Sequence, residues 1–232
     1  TTYGGNGEGH RIVYSTSTHQ ELFDYVIKAF NTAWKYRFPT FVLGDGYQAK
    51  MREPLEIYDP EEKGIELVPA KPLVGLPGSI GDEREPAHLC NIYSLEEELY
   101  EVVLKLAQAY EAVAPEIVEW DEKMCDDAEI IVVSHGVVSR AAYDAVGILR
   151  DEGIKVGYFR PITLRPFPEE QLREAIKRSG AKKMLIAESS YGQLMRLVRQ
   201  EIYGETIEIH GLLMPGLGIV DSDIVAKAKS LL

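Results

Sequence analysis

The sequence predicts an α/β fold built around a parallel sheet. Between residues 127 and 193, three short apolar runs alternate with two amphipathic segments. The apolar runs are rich in β-branched residues and too short for helices, whereas the segments between them repeat their apolar residues at helical spacing. Strands joined through helices lie parallel, with right-handed crossovers. This stretch therefore indicates a β-α-β-α-β unit.

The elements of this unit follow from its turn residues. The first strand covers 129–134 and ends at His135-Gly136, where the chain needs a tight turn. A helix is predicted over 138–151, and Gly153 provides the left-handed residue that commonly closes a helix. The other elements predicted in this half are strands over 154–159, 183–187 and 206–210, and helices over 168–178, 192–202 and after Asp221.

The first 54 residues predict a strand, a helix and a second strand. The strands cover 12–14 and 40–43. Thr18 and Glu21 form a capping box, which starts a helix between the two strands. Pro39 ends this helix before the second strand begins. We therefore assign residues 1–54 to a first domain.

Residues 55–126 are predicted to connect the two halves. Prolines and glycines interrupt most of this stretch, as in an extended crossover. A second capping box at Ser94 and Glu97 starts one helix, which ends near Ala114 because Pro115 follows. Residues 127–232 then form the second domain.

Composition excludes several classes of function. The formal net charge of -12 repels phosphate backbones and anionic lipid heads, which argues against nucleic-acid and membrane partners. Cys90 and Cys125 stand far apart, so this chain alone predicts neither a zinc site nor an iron–sulfur cluster. No secretion signal or long apolar run occurs, which favours a cytoplasmic protein. The chain opens at Thr1 in a Gly-rich loop, as expected for a fragment.

Three predicted loops lie at the carboxyl ends of parallel strands, where ligands and partners usually bind. The candidate residues in these loops are His135, Gly136, Arg160, Glu188, Gly192 and Gln193. Glu188 is expected to cap the following helix or to meet a partner, and Arg160 to bind an anionic phosphate or to form an ion pair. A serine nucleophile beside His135 is disfavoured because no Gly-x-Ser-x-Gly elbow is present. The alternative that these loops are only structural turns stays open.

The loop Gly4-Gly5-Asn6-Gly7-Glu8 resembles the Gly-Gly-His-Gly-Asp loop in the α subunit of the 2-oxoacid:ferredoxin (acceptor) oxidoreductases. Asn6 and Glu8 depart from that pattern. Further resemblances to the same family lie at His19-Gln20-Glu21-Leu22, Gly44-Asp45-Gly46, Met51-Arg52-Glu53-Pro54, Gly153-Ile154-Lys155-Val156-Gly157, the run from Arg160 to Pro168, and Glu188 with Gly192-Gln193-Leu194. The motifs around Gly44-Asp45-Gly46 and Arg160-Pro161-Ile162-Thr163 are most similar to those of the branched-chain (3-methyl-2-oxobutanoate) type of α subunit.

The resemblance implies the end of a pyrimidine-type thiamine diphosphate domain, followed by a transketolase-C-terminal-like domain with a parallel sheet. It implies oxidative decarboxylation of a 2-oxoacid with CoA to acyl-CoA, CO₂ and reduced ferredoxin. Thiamine diphosphate and Mg²⁺ would be shared with a partner β subunit, whereas iron–sulfur clusters would lie on other subunits, such as γ and δ.

The resemblance also implies that Gly5, Asn6, Gly7 and Glu8 bind the cofactor, while a structural turn remains the alternative. The family's substrate-holding segment and its thiamine-activating glutamate are not found in this sequence. We therefore expect the chain alone to be inactive and assign it no catalytic or metal-ligating residue.

The residues leave two other functions to compare with this one. One is a non-catalytic module with a transketolase-like domain that assembles subunits or binds a small anion. The other, a free-standing dinucleotide-binding domain, is disfavoured because no Gly-x-Gly-x-x-Gly follows a predicted strand.

Overall fold

The computed structural model of the protein describes Gly4, residues 9–69 and residues 92–232. The first half contains β1 (Ile12–Ser15), α1 (His19–Tyr36), β2 (Thr40–Leu43), a short 3₁₀ helix (Gln48–Lys50) and the long helix α2 (Glu96–Ile117). The second half contains β3 (Trp120–Lys123), β4 (Ile130–Val133), α3 (Val138–Asp151), β5 (Val156–Pro161), β6 (Thr163–Arg165), α4 (Glu169–Ser179), β7 (Lys183–Glu188), α5 (Gln193–Glu201), β8 (Glu208–Leu213) and α6 (Asp221–Lys229).

The second half forms a five-stranded sheet of order β3-β5-β4-β7-β8. Strands β5, β4, β7 and β8 run parallel, which confirms the predicted parallel sheet, and β3 adds an antiparallel edge. On one face, α4 and α5 pack through Leu172 and Val198. On the other, α3 and α6 pack through Leu149 and Ile224. Strands covered on both faces must be apolar throughout, which explains the continuous apolar runs in the sequence.

The first half forms a three-stranded sheet of order β2-β1-β6. Strand β1 pairs in parallel with β2 and antiparallel with β6, although β6 follows β5 in the chain. Tyr14 of β1 packs with Ala29 of α1 and with Tyr110 and Ile117 of α2. Since β6 crosses into the first sheet, the two halves of the chain are joined by strand pairing as well as by side chains.

Several helix ends differ from the predictions. At α1, the hydroxyl of Thr18 accepts the N–H of Glu21 at 3.1 Å, as predicted, but the Glu21 carboxylate accepts from Ser17 instead of Thr18. At α2, the second capping box is wrong, because the N-cap residue is Leu95, without a side-chain cap. The same helix continues past Pro115 to Ile117. Burial of Ile117 in the core stabilises this last turn despite the missing proline N–H.

The predicted connector also contains an element that the sequence analysis missed. Strand β3 lacks the alternation of apolar and polar residues that predicts a strand, because its sequence is Trp120-Asp121-Glu122-Lys123. It forms because β5 offers a free edge, to which it pairs from Trp120↔Pro161 to Lys123↔Tyr158. The limits of the predicted domains stay predictions.

Replacing Gly157 by alanine is expected to destabilise the protein by about 1–3 kcal/mol through overpacking. A methyl group at this position of β5 would lie 3.0 Å from the Cα and Sγ atoms of Cys125 and 3.1 Å from Cβ of Ala128. Gly147, inside α3, is the matched control because a methyl group there meets nothing within 4 Å. Gly147→Ala should stabilise the protein by about 0.5–1 kcal/mol. Equal urea midpoints for the two variants would contradict this packing argument.

Candidate functional site

A cavity of about 610 Å³ lies where the carboxyl ends of the two sheets meet, which is within the size range of small-molecule sites. The first sheet contributes the residues that follow β1 and β2, and the second contributes those that follow β4 and β7. The polar residues lining the cavity are Ser15, Thr16, Asp45, His135, Glu188, Ser189, Ser190, Gln193 and Arg196. The edge predicted from the parallel-strand pattern therefore faces the other half of the same chain.

Ser15 and His135 join the two halves across this cavity. The Oγ atom of Ser15 lies 2.8 Å from Nδ1 of His135, and Ser15 is buried. Burial lowers the pKa of His135, while the carboxylates of Glu188 and Asp45 act in the opposite direction. The imidazole is therefore neutral at neutral pH, so one ring nitrogen donates and the other accepts a hydrogen bond.

Gly136 lies in the turn after β4, beside Ser15 of the first sheet. Its φ of 61° lies in the left-handed region, and an added Cβ would lie 3.7 Å from Oγ of Ser15 and 3.9 Å from the carbonyl oxygen of Thr16. A side chain would therefore be strained by the backbone conformation, although the space itself allows van der Waals contact. Backbone conformation is thus the reason for glycine at this position.

Glu188 is held by the helix that follows it. Its carboxylate accepts the N–H groups of Leu194 at 3.0 Å and Met195 at 2.9 Å, and it also accepts the hydroxyl of Ser190. The side chain is only 2% exposed. These contacts confirm the predicted helix cap, which begins at Gly192 with φ of 82°. The carboxylate satisfies the free N–H groups of α5, and its charge suits the positive end of the helix dipole.

Arg160 requires a correction. Its guanidinium donates to both oxygens of Glu21, at 2.9 and 2.6 Å, and to the carbonyl oxygen of Ser15 at 3.2 Å. The residue is 6% exposed and does not line the cavity. The ion pair, which was the alternative expectation for Arg160, is confirmed. The interpretation of Arg160 as a phosphate-binding group at the edge is wrong, because Glu21 of the first half neutralises the buried guanidinium. Sequence alone did not reveal this pairing, since 139 residues separate the partners.

The structure brings some of the predicted site residues together at the cavity and places others elsewhere. His135, Gly136, Glu188 and Gln193 meet at the cavity, whereas Gly192 caps α5 beside it. Gly5, Asn6, Gly7 and Glu8 lie outside the described residues. The flanking residues Gly4 and Gly9 contact Arg11, at the amino end of β1, whereas the cavity lies at the carboxyl end. Ser15 and Thr16 were missed as site residues, although their position after a predicted strand is the same signal that indicated His135.

The described residues do not form a site for a diphosphate and its metal ion. No group of three metal-ligating side chains occurs among them. The carboxylates of Asp45 and Glu188 at the cavity repel a diphosphate. Arg196, which also lines the cavity, donates to the backbone carbonyl oxygens of Gly192 and Tyr191. No step through thiamine diphosphate is therefore assigned to residues of the described parts of this chain.

Solved structures define the class of the fold. The chain is similar to the 2-oxoglutarate:ferredoxin oxidoreductase from Magnetococcus marinus with 2-oxoglutarate, coenzyme A and succinyl-CoA bound, with a TM-score of 0.74 and 21% identity, covering 97% of this chain and 43% of that one. It is also similar to a split gene transketolase in an inactive beta4 tetramer, with a TM-score of 0.51 and 15% identity, covering 95% of this chain and 56% of that one. The fold is therefore a transketolase-like α/β fold.

Sequence comparisons identify the family. Residues 8–120 match the thiamine diphosphate-binding family of pyruvate flavodoxin/ferredoxin oxidoreductases, and residues 128–218 match core domain II of pyruvate:ferredoxin oxidoreductase. The ketoisovalerate oxidoreductase subunit VorB of Methanothermobacter marburgensis is 36% identical over 98% of this chain and 62% of that protein. The 2-oxoglutarate synthase subunit KorA of Methanocaldococcus jannaschii is 33% identical over 83% of this chain and 56% of that protein. The chain belongs to the 2-oxoacid:ferredoxin oxidoreductase family, as its motifs predicted, and spans about three fifths of the length of these relatives.

Proposed function

We propose that the chain is all or part of an α subunit of a 2-oxoacid:ferredoxin oxidoreductase, which oxidatively decarboxylates a 2-oxoacid with CoA to acyl-CoA, CO₂ and reduced ferredoxin. The observation that carries this proposal is the succession of two domains of one enzyme family along the chain. Relatives named for ketoisovalerate and for 2-oxoglutarate match at similar identity, 36% and 33%. The substrate class is therefore a 2-oxoacid, with the branched-chain type as the first to be tested.

The proposed complex contains a β subunit and the γ or δ subunits that carry iron–sulfur clusters. Thiamine diphosphate, when bound with Mg²⁺, supplies the decarboxylation chemistry, and the partner subunit holds its diphosphate. The loop containing Gly5 to Glu8 contributes to the cofactor cleft. We further propose a cytoplasmic location with ferredoxin as the electron acceptor. No helix in the described parts of the chain has the length and apolar character needed to span a membrane.

The residues of this chain line one side of the cavity and hold its loops in position. The Ser15–His135 hydrogen bond holds the two halves together beside the cavity, and the Glu188 carboxylate fixes the first turn of α5. Both contacts are made between residues of this chain and hold its loops in place. We therefore assign these residues the positioning of the loops that face a partner, and not a step of the reaction.

Reconstitution tests the proposed function. The purified chain, mixed with a β subunit of this family, thiamine diphosphate, Mg²⁺ and CoA, should show viologen reduction that depends on a 2-oxoacid. The chain alone should show neither this activity nor thiamine diphosphate binding by calorimetry. Assembly without turnover would favour the alternative function, a non-catalytic module for subunit assembly, which the open cavity between the two sheets supports. Failure to assemble with any such subunit would contradict both functions.

The loops at the cavity should contribute to assembly. His135→Ala and Gln193→Ala are expected to weaken association with the β subunit, because both residues line the open cavity. Lys177→Ala, at an exposed position of α4, is the control and should assemble normally. Binding titrations with labelled β subunit and thermal melting of each variant separate assembly from stability. Unchanged association of both cavity variants would limit these loops to a structural role.

A further inference from the structure

Helix α2 carries an apolar stripe that continues beyond the body of the protein. Leu95, Leu99, Val102 and Leu106 follow one another at intervals of four, three and four residues. This is the spacing of the a and d positions in a coiled coil, where such residues form one seam along the helix. The same face continues to Val113 near the end of the helix.

The two ends of this face have different surroundings. Toward the carboxyl end, Tyr110 and Ile117 are buried against β1 and α1, and Val113 packs against the same cluster. Toward the amino end, Leu95 is 56% exposed, Leu99 46% and Leu106 49%. Among the residues that the structure describes, none covers this amino-terminal part. A row of half-exposed leucines on an otherwise packed face is typical of an interaction surface.

The charges beside the stripe indicate the chemistry of the partner. Glu96 and Glu98 flank the seam on its two sides and are exposed. The one lysine in this part of the helix, Lys105, lies 3.8 Å from Glu101 and is thereby compensated. Side chains that flank a coiled-coil seam select the partner by charge. A second copy of this chain would bring the same carboxylates together, whereas a basic helix would oppose them.

We propose that the surface formed by Leu95, Leu99, Val102 and Leu106 binds an amphipathic helix of another polypeptide. The partner helix has apolar residues at heptad spacing, flanked by lysine or arginine. This proposal is independent of the proposed reaction, since it depends only on the stripe and the charges of α2.

Two designed peptides test the proposal with the full chain. Both are three-heptad helices with leucine at the a and d positions, but one has lysine and the other glutamate at the flanking positions. By fluorescence anisotropy, the lysine peptide should bind at least about tenfold more tightly than the glutamate peptide. The preference should shrink as salt is added, because exposed charges are screened.

Variants of the helix show where the peptide binds. The double variant Leu99→Gln/Leu106→Gln should weaken the lysine peptide about tenfold or more, because both leucines lie in the seam. Leu104→Gln is the matched control: Leu104 is 40% exposed on the same helix but lies on the side opposite the stripe. Its affinity should stay within about twofold of the parent chain. Circular dichroism checks that each variant keeps its helices.

A charge variant keeps the proposal testable if the leucine variant unfolds α2. Glu96→Lys/Glu98→Lys retains the stripe and should reverse the preference, so that the glutamate peptide binds more tightly. Equal binding of both peptides, or no binding of the lysine peptide, overturns the proposal. Light scattering that shows a dimer of the chain, dissolved by Leu99→Gln/Leu106→Gln, overturns it in favour of a second copy.

Discussion

Replacing Arg160 by methionine should lower the free energy of unfolding by about 3–5 kcal/mol, the usual cost of leaving one partner of a buried ion pair alone. The variant retains the apolar volume of the side chain but leaves the Glu21 carboxylate without its two charge-assisted hydrogen bonds. The carbonyl oxygen of Ser15 also loses its donor. For a protein of this size, the melting temperature should fall by about 6–20 °C.

An exposed arginine provides the control for this prediction. Arg178 also has two acidic partners, Glu122 at 2.6 Å and Asp126 at 3.0 Å, but its side chain is 41% exposed. Arg178→Met should therefore cost about 1 kcal/mol or less. Urea unfolding of both variants measures the difference. Similar losses for the two variants would show that burial does not strengthen the Arg160–Glu21 pair.

The same pair predicts a pH dependence. Burial alone would raise the pKa of Glu21, but hydrogen bonds and the charge of Arg160, together with two hydrogen bonds from Ser17, lower it below its ordinary value. A lowered folded-state pKa means that the contribution to stability is complete above the unfolded-state value of about 4.3. It is lost as the pH falls through the lowered folded-state value. Arg160→Met should thus lose less stability between about pH 5 and pH 3 than the parent chain.

Replacing Glu188 by alanine should cost about 2–4 kcal/mol. The change removes the acceptor for the N–H groups of Leu194 and Met195, which are the free donors at the start of α5. Leu194 is buried, so its N–H gains little compensation from water. Amide hydrogen exchange in the first turn of α5 should therefore become faster, while exchange in the strands of the sheet changes less.

Glu208→Ala tests whether the position of the carboxylate matters. Glu208 lies in β8 with a side chain that is 72% exposed, so its removal should change the stability by about 0.5 kcal/mol or less. Chemical denaturation and exchange of the α5 amides are measured for both variants. If Glu188→Ala unfolded at the same urea concentration as Glu208→Ala, the cap at α5 would contribute nothing beyond a surface charge.

The parallel sheet could be predicted from the sequence because its signal is local. Residues 130–133 and 184–187 are continuous apolar runs, and the helical segments between them repeat their apolar residues at helical spacing. Strands covered on both faces and helices covered on one produce these two patterns without reference to any distant partner. The short sequence motifs were likewise sufficient to predict the family. The edge strand β3 was missed for the opposite reason, because only its pairing with β5 makes it a strand.

The side-chain partners at the site were decided by the tertiary structure. His135 and Glu188 were placed at one edge from the sequence alone, since parallel strands end on the same side. Nothing local indicates that Ser15 lies opposite His135, or that Arg160 turns inward to Glu21. Both contacts join the two halves of the chain, as does the pairing of β1 with β6. The sequence by itself determined the type and order of most elements and the class of protein, because propensity and periodicity are local properties. Which side chains remain free to bind was determined by contacts between residues far apart in the chain, and only the packed fold brings these together.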